Sequence, residues 1–214
     1  MTPGGPRLRV PPGRAGRLQV LHRLATAQRA ASMLDHKLRI LRGEQERLDL
    51  LVRQTGQDWE RACRSADSWL LRAGLLGGRR ALRLADDGQG AIVALGWTAT
   101  MGARYPTDAS VTFPSGADAA TLPGTAAIYE ARQACRLALA AAARHAAATA
   151  AQQVLAAEIA ATRMRLRAVA SRWIPRLEGA LIALEQALDE NEHADTVRLR
   201  RVADRSVRRE RSSP

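Results

Sequence analysis

Aromatic side chains are nearly missing from this 214-residue chain: Phe, Trp and Tyr supply 3% of it, although 46% of the residues are apolar. A thick globular core or a sandwich draws on aromatic and β-branched residues. Their scarcity argues for the narrow seam between helices, which Leu and Ala can fill. Length and apolar content still suffice for one or two domains with a real core. Cysteine is scarce too. Cys63 and Cys135 belong to no CxxC or Cys/His cluster; they read as small core residues, with a single disulfide as the weaker reading because nothing else suggests an exported, stapled domain. His22, His36, His145 and His193 are scattered without HExxH or other ligand spacing, so no catalytic residue, metal site or cofactor is expected. Asp189 and Glu192 nearly share a helix face but have no nucleophile or base near them, and Tyr105, Phe113 and Tyr129 stand outside any motif. The lack of GxxxxGK[ST] and GxGxxG argues against direct nucleotide binding. Met1 to Pro6 lack the apolar stretch of a signal peptide, and the Ala-rich run from Leu137 to Ala151 is broken by Arg144 and His145. These features predict the cytoplasm or the cytoplasmic face of a membrane.

What the chain does have is periodicity. Prolines at Pro11 and Pro12 disfavour an earlier helix. Beyond Gly16, apolar or small residues recur at Val20, Leu24, Ala27, Ala31, Leu34, Leu38, Leu41, Leu48, Val52, Trp59, Ala62, Ala66, Trp69 and Ala73, with Gln45 and Thr55 at the polar positions of the same frame. Steps of three and four keep one stripe facing a partner. A second stripe supplies that partner: Leu155, Ile159, Thr162, Leu166, Val169 and Trp173, resuming one step late after Pro175 as Leu177, Leu181, Leu184 and Leu188. A proline inside a helix removes one backbone bond, so a bend is expected there at a cost of about 3 kcal/mol, with two helices joined at Ile174 as the other reading.

Between the stripes lie nine of the sixteen glycines, with Pro106, Pro114 and Pro123. Two strand-like pieces, 91–97 and 109–113, predict a small hairpin capping the tip of the helices, and Gly77-Gly78 and Asp87-Gly88 mark turns. The expected fold is all-α: a long antiparallel two-helix coiled coil with a small β-hairpin-containing middle. Its parts are a disordered basic segment 1–16, a helix 17–75, a head 76–125, a helix 126–205 and a disordered basic tail 206–214. The predicted interface is Leu24, Leu34, Leu38, Leu41, Leu48, Val52, Ile159, Leu166, Val169, Trp173, Leu177, Leu184 and Leu188.

Charge alone does not choose a partner. The formal balance is +12, which suits nucleic acid, an anionic membrane or an acidic protein. Residues 1–42 carry nine Lys or Arg and one acid, Asp35, and 198–211 carry seven Arg against Asp204 and Glu210. Glu185, Asp189, Glu190 and Glu192 precede that terminal basic run and are expected to make weak pairs within their own helix.

Two blocks, GRAGRLQVLHRLATAQRAASMLDHKLRIL after Pro11-Pro12 and TRMRLRAVASRWIPRLEGALIALEQALDENE, together resemble the D subunit of the V-type/A-type rotary ATPases. In the first, Met33, Leu34, Lys37 and Leu38 are similar to a Leu-Leu-x-x-Lys-Arg segment. In the second, the signature falls on Arg165, Ala168, Ile174, Pro175, Glu178, Glu190 and Glu192, with departures at Met164, Arg167 and Ala170 and Ala30-Ala31 where a glycine is usual. The resemblance implies a non-catalytic central-stalk rotor component at the cytoplasmic face of the membrane. Its implied partners are the A and B subunits of the catalytic hexamer, the F subunit of the stalk, and the C/d-type component that couples the stalk to the membrane ring; the ion moved would be a proton. Two other readings stand beside it: a basic coiled-coil protein binding nucleic acid, and a structural adaptor of another complex. Against nucleic acid, the basic residues lack interleaved aromatics or a helix-turn-helix pattern.

Overall fold

A computed structural model of the chain describes residues 10–85, 90–113 and 126–211, with side chains as far as Asp204. The elements are α1 (Arg14–Leu84), β1 (Ile92–Thr100), β2 (Ala103–Thr112), α2 (Ala126–Ala168), a π-helical turn (Val169–Trp173) and α3 (Ile174–Arg211). Among the described residues the fold is all-α apart from one two-stranded antiparallel hairpin in the middle. Several boundaries differ from the sequence expectation. The first helix starts at Arg14 and continues to Leu84, well past 75, with its one non-helical residue at Gly78 (φ 66°, ψ 177°). Ala and Leu outweigh the glycines around that break. The last helix runs on to Arg211, through the first part of the tail expected to be disordered from 206. Residues 1–9, Asp87-Gly88, Pro114, Pro123 and 212–214 lie outside the described residues.

The chain forms two compact units. In the first, built from 10–36 and 162–211, the start of α1 packs on α3. Val20, Ala27 and Leu177 are buried, with Val10, Leu24, Val169, Ile174, Leu181 and Leu184 packed around them. Gly16 makes the entry possible: a Cβ there would sit 1.8 Å from the carbonyl oxygen of Pro11, so only glycine lets the preceding backbone lie against the first turn and deliver Val10 to the core. Sequence alone assigns that segment no structure, because a single close approach leaves no periodic trace.

The π-helical turn belongs to this unit and accounts for the late stripe. The amide of Ile174 donates to the carbonyl of Val169, five residues back. One extra residue is thereby inserted just before Pro175, which has no amide to donate. The inward step runs from Val169 to Ile174 to Leu177. Trp173, expected at the interface, is turned out and 42% exposed; the inserted residue hands its place to Ile174.

The second unit holds 37–85, 90–113 and 126–161. Here α1 presents Leu38, Leu41, Leu48, Ala66 and Ala73, and α2 presents Ala127, Ile128, Ala131, Ala134, Ala141, Ala147, Ala148, Ala151, Leu155 and Ile159, all buried. The chain reverses at Gly77-Gly78. A Cβ on Gly77 would stand 2.9 Å from that of Ala81 and 3.3 Å from Cδ1 of Ile128, so the turn and the cluster of Ala73, Ile128 and Ala131 depend on its absence.

Both strands are longer than the sequence suggests, because only Met101 and Gly102 turn. Their positive φ values, 51° and 86°, suit the tight two-residue connection that matches strand twist. Gly96 pairs with Asp108 and Trp97 with Pro106, leaving Thr107 as a bulge; a proline without an amide is tolerated at such an irregularity. The hairpin does not cap the turn at Gly77. Its anchor, Tyr105, meets Glu44, roughly 50 Å of helix away from Gly77.

Candidate interaction site: helix seams and exposed faces

Leu and Ala on one stripe of each helix bury each other, and polar rungs then fix the register. In the second unit Lys37 Nζ lies 2.7 Å from Glu158 Oε1, with both side chains mostly shielded. Gln152 Nε2 donates to Asp49 Oδ1 at 2.6 Å. Thr55, one of the two polar positions of the α1 stripe, donates its hydroxyl back to the Leu51 carbonyl at 2.8 Å and lies 3.2 Å from Nδ1 of His145. That imidazole stacks on Trp59 with ring centroids 5.4 Å apart and lies over Gly56, where a Cβ would come within 3.3 Å of the ring. Glycine at 56 thus makes room for the histidine. Partners fall along α2 as they rise along α1, so the pair is antiparallel.

Tyr105 ties the hairpin to this pair. Its hydroxyl donates to Glu44 Oε1 at 2.8 Å, which leaves the Thr100 hydroxyl, also at 2.8 Å, as the donor to it. Arg47 grips the same carboxylate from one turn on, Nη2 to Oε1 at 2.6 Å and Nε to Oε2 at 3.0 Å. That hydrogen bond holds the Glu44 carboxyl below the usual range against the opposing effect of burial, with Tyr105 adding to the lowering. Burial pushes the Tyr105 phenol up.

In the first unit, Arg17 Nε meets Glu185 Oε1 at 2.9 Å and Arg14 Nη2 meets Glu192 Oε1 at 3.1 Å. These pairs run between helices, not within one as the sequence suggests. An acid on α3 reaches across to an arginine on α1 because the two stripes are already side by side. The second pair is largely solvated and contributes little to stability.

Of the predicted interface residues, Leu38, Leu41, Leu48, Ile159 and Leu177 are buried, and Leu24, Leu34, Val52, Leu166, Val169, Leu184 and Leu188 are half-buried. Among the motif residues Ile174 packs in the core of the first unit. Arg165, Ala168, Pro175, Glu178, Glu190 and Glu192 are exposed, so they do not hold the helices together.

Exposed apolar groups are concentrated in two places in the second unit. One is the helix around its reversal, with Leu71, Leu75, Leu76 and Leu84 at 66%, 79%, 67% and 58% exposure. The other is β1, with Ile92, Val93, Leu95 and Trp97. In the first unit every residue of α3 from Asp189 to Asp204 is exposed, Leu199 and Val202 included. Large uncovered apolar surface of this kind marks places that partners cover. Sequence periodicity could not reveal these faces, since an exposed leucine and a buried one look alike outside the stripe.

The family model for the ATP synthase D subunit matches residues 17–204, a span that takes in all but the first four residues of the two helical blocks and everything between them. No curated protein matches the chain.

Proposed function

The chain belongs to the ATP synthase D-subunit family, stalk components of rotary ATPases, and from that premise we propose that it is the central rotor shaft that carries torque between ATP turnover in an A/B hexamer and ion movement, of protons, in a membrane ring. The observation that carries this reading is the match over 17–204. Supporting it, the paired helices of each unit supply stiffness that a single helix or a loop lacks, as torque requires. A shaft of this kind does no chemistry of its own. It presents an asymmetric surface, so that each orientation favours a different state of the hexamer's nucleotide pockets.

Within this reading the exposed leucines near Gly77 and the exposed length of α3 are surfaces that partners cover, the candidates being the A and B subunits, the F subunit and the C/d-type coupling component. Among the described residues no helix is long and apolar enough to cross a membrane, which fits a peripheral position at the cytoplasmic face. Exposed arginines on α3 then serve an acidic protein surface, not a nucleic acid.

Truncation after Val197 tests the assignment. The shortened chain should fold with an unchanged melting temperature and still enter the complex, while ions moved per ATP hydrolysed fall severalfold and hydrolysis continues. Full coupling in the truncated complex would reject the role given to α3. Co-purification of the intact chain with nucleic acid instead of A and B subunits would reject the rotor reading itself.

A further inference from the structure

Cys63 on α1 and Cys135 on α2 are both free and half-buried. Two rungs of the second unit bracket them. Thr55 meets His145, and further along Ala73 packs with Ile128. From Thr55 to Ala73 α1 advances 18 residues while α2 runs back 14 to 17, from His145 to Ala131 or Ile128, which brings Cys63 to about one turn from the level of Cys135. The packing there is tight, because Ala66 and Ala134, close to the two thiols in sequence, are buried small residues that let the backbones approach. Electrostatics agrees with this placement. Burial chiefly, then Asp67 and Cys63, one turn apart on the same face of α1, push the Cys135 thiol up.

The chemistry narrows the use of such a pair. A nucleophilic cysteine needs its thiolate stabilised, and Cys135 is shifted the other way. What remains is a bond between the two sulfurs, which needs Cα atoms within about 7 Å across the seam.

We propose that Cys63 and Cys135 are a redox modification site, closing reversibly into a disulfide that staples α1 to α2, with a low-molecular-weight disulfide such as oxidised glutathione as oxidant. One cysteine, as thiolate, attacks the oxidant and releases one reduced thiol. The second then displaces the other half from the mixed disulfide. Both protein thiols lose their protons, the protein gives up two electrons, and the oxidant leaves as two thiols. Because the Cys135 thiol is pushed up, closure is slow at neutral pH and accelerates as the medium becomes more alkaline. The staple joins residues far apart in the chain and fixes the register of the two helices, independently of what the shaft drives.

The test uses the full chain, reduced, then incubated with excess oxidised glutathione and quenched with acid. Intact mass should fall by two hydrogens, peptide mapping should return Cys63 joined to Cys135, and the melting temperature should rise on the order of 10 °C and return on adding dithiothreitol. Cys63→Ser and Cys135→Ser should each lose the crosslink and the shift. The wild-type comparison, reduced against oxidised, needs no variant and stands even where a serine perturbs folding. Persistent glutathione adducts on separate cysteines, crosslinks only between copies, or two thiols that stay reduced would each overturn the proposal.

Discussion

The two seams of this molecule are filled differently. In the first unit, branched side chains meet branched side chains, with Val20 and Leu24 of α1 against Leu177, Leu181 and Leu184 of α3. The second sets the leucines Leu38, Leu41 and Leu48 of α1 in a unit whose α2 contributes mainly alanine, and adds the rungs Lys37–Glu158, Asp49–Gln152 and Thr55–His145. A leucine seam gains more from burial, at about 0.8 kcal/mol per CH₂. An alanine seam gains less, but it brings backbones close and lets polar groups set one register. One unit therefore holds mainly by apolar burial, its ion pairs Arg17–Glu185 and Arg14–Glu192 lying toward solvent, and the other adds alignment by more shielded polar rungs.

Substituting Leu41 or Leu177, each fully buried, by Asp attacks one seam at a time and should have the largest effect. An unpaired buried carboxylate costs on the order of 4 kcal/mol or more. Hydrogen exchange should show lost protection confined to the unit that carries the change, and assembly with the hexamer should fail in both. Equal loss across both units would mean that they do not respond separately.

Those leucines are legible in the sequence because a buried stripe repeats. Nothing periodic announces Tyr105 on Glu44, or His145 on Gly56, since each joins residues far apart through one contact. The error at Trp173 has a related cause: heptad counting assumes a uniform helix, and the π-helical turn breaks that assumption by one residue. Pro175 gives the warning, and the physical response is a widened turn that brings Ile174 inward. The N-terminal segment escapes a reading in which glycine only breaks helices, whereas Gly16 is a space-maker inside the first turn.

Ala151→Leu sharpens the contrast between the seams. Ala151 is fully buried, and forcing a larger side chain in should cost about 1–3 kcal/mol, read as a lower denaturation midpoint at constant slope. A neutral result would show that the second seam has slack.

The smallest effect expected is at the hairpin. Tyr105→Phe removes the hydrogen bond to Glu44 and the one from Thr100, for about 1 kcal/mol, and should speed amide exchange in β1 and β2 while the helices keep their protection. Its pH profile carries the sign. The carboxyl of Glu44 is lowered, so its contribution is present above the ordinary carboxylate range and fades as pH falls through the lowered value. Tyr105 is raised, so its contribution is complete below the ordinary tyrosine value near 10 and is lost as pH climbs through the raised one. The alkaline loss should vanish in the phenylalanine variant, and the acid loss should shrink while Arg47 remains.

Around the π-helical turn the chain carries a phase offset. Each residue of a helix rotates its successor by about 100°, so removing one residue between Val169 and Ile174 would swing the whole outer stretch of α3 by that angle about its own axis. Leu177 would leave the seam, and Arg17 and Arg14 would face positions other than Glu185 and Glu192. A single-residue surplus thus works as a gear tooth, setting which side of the terminal helix is offered outward.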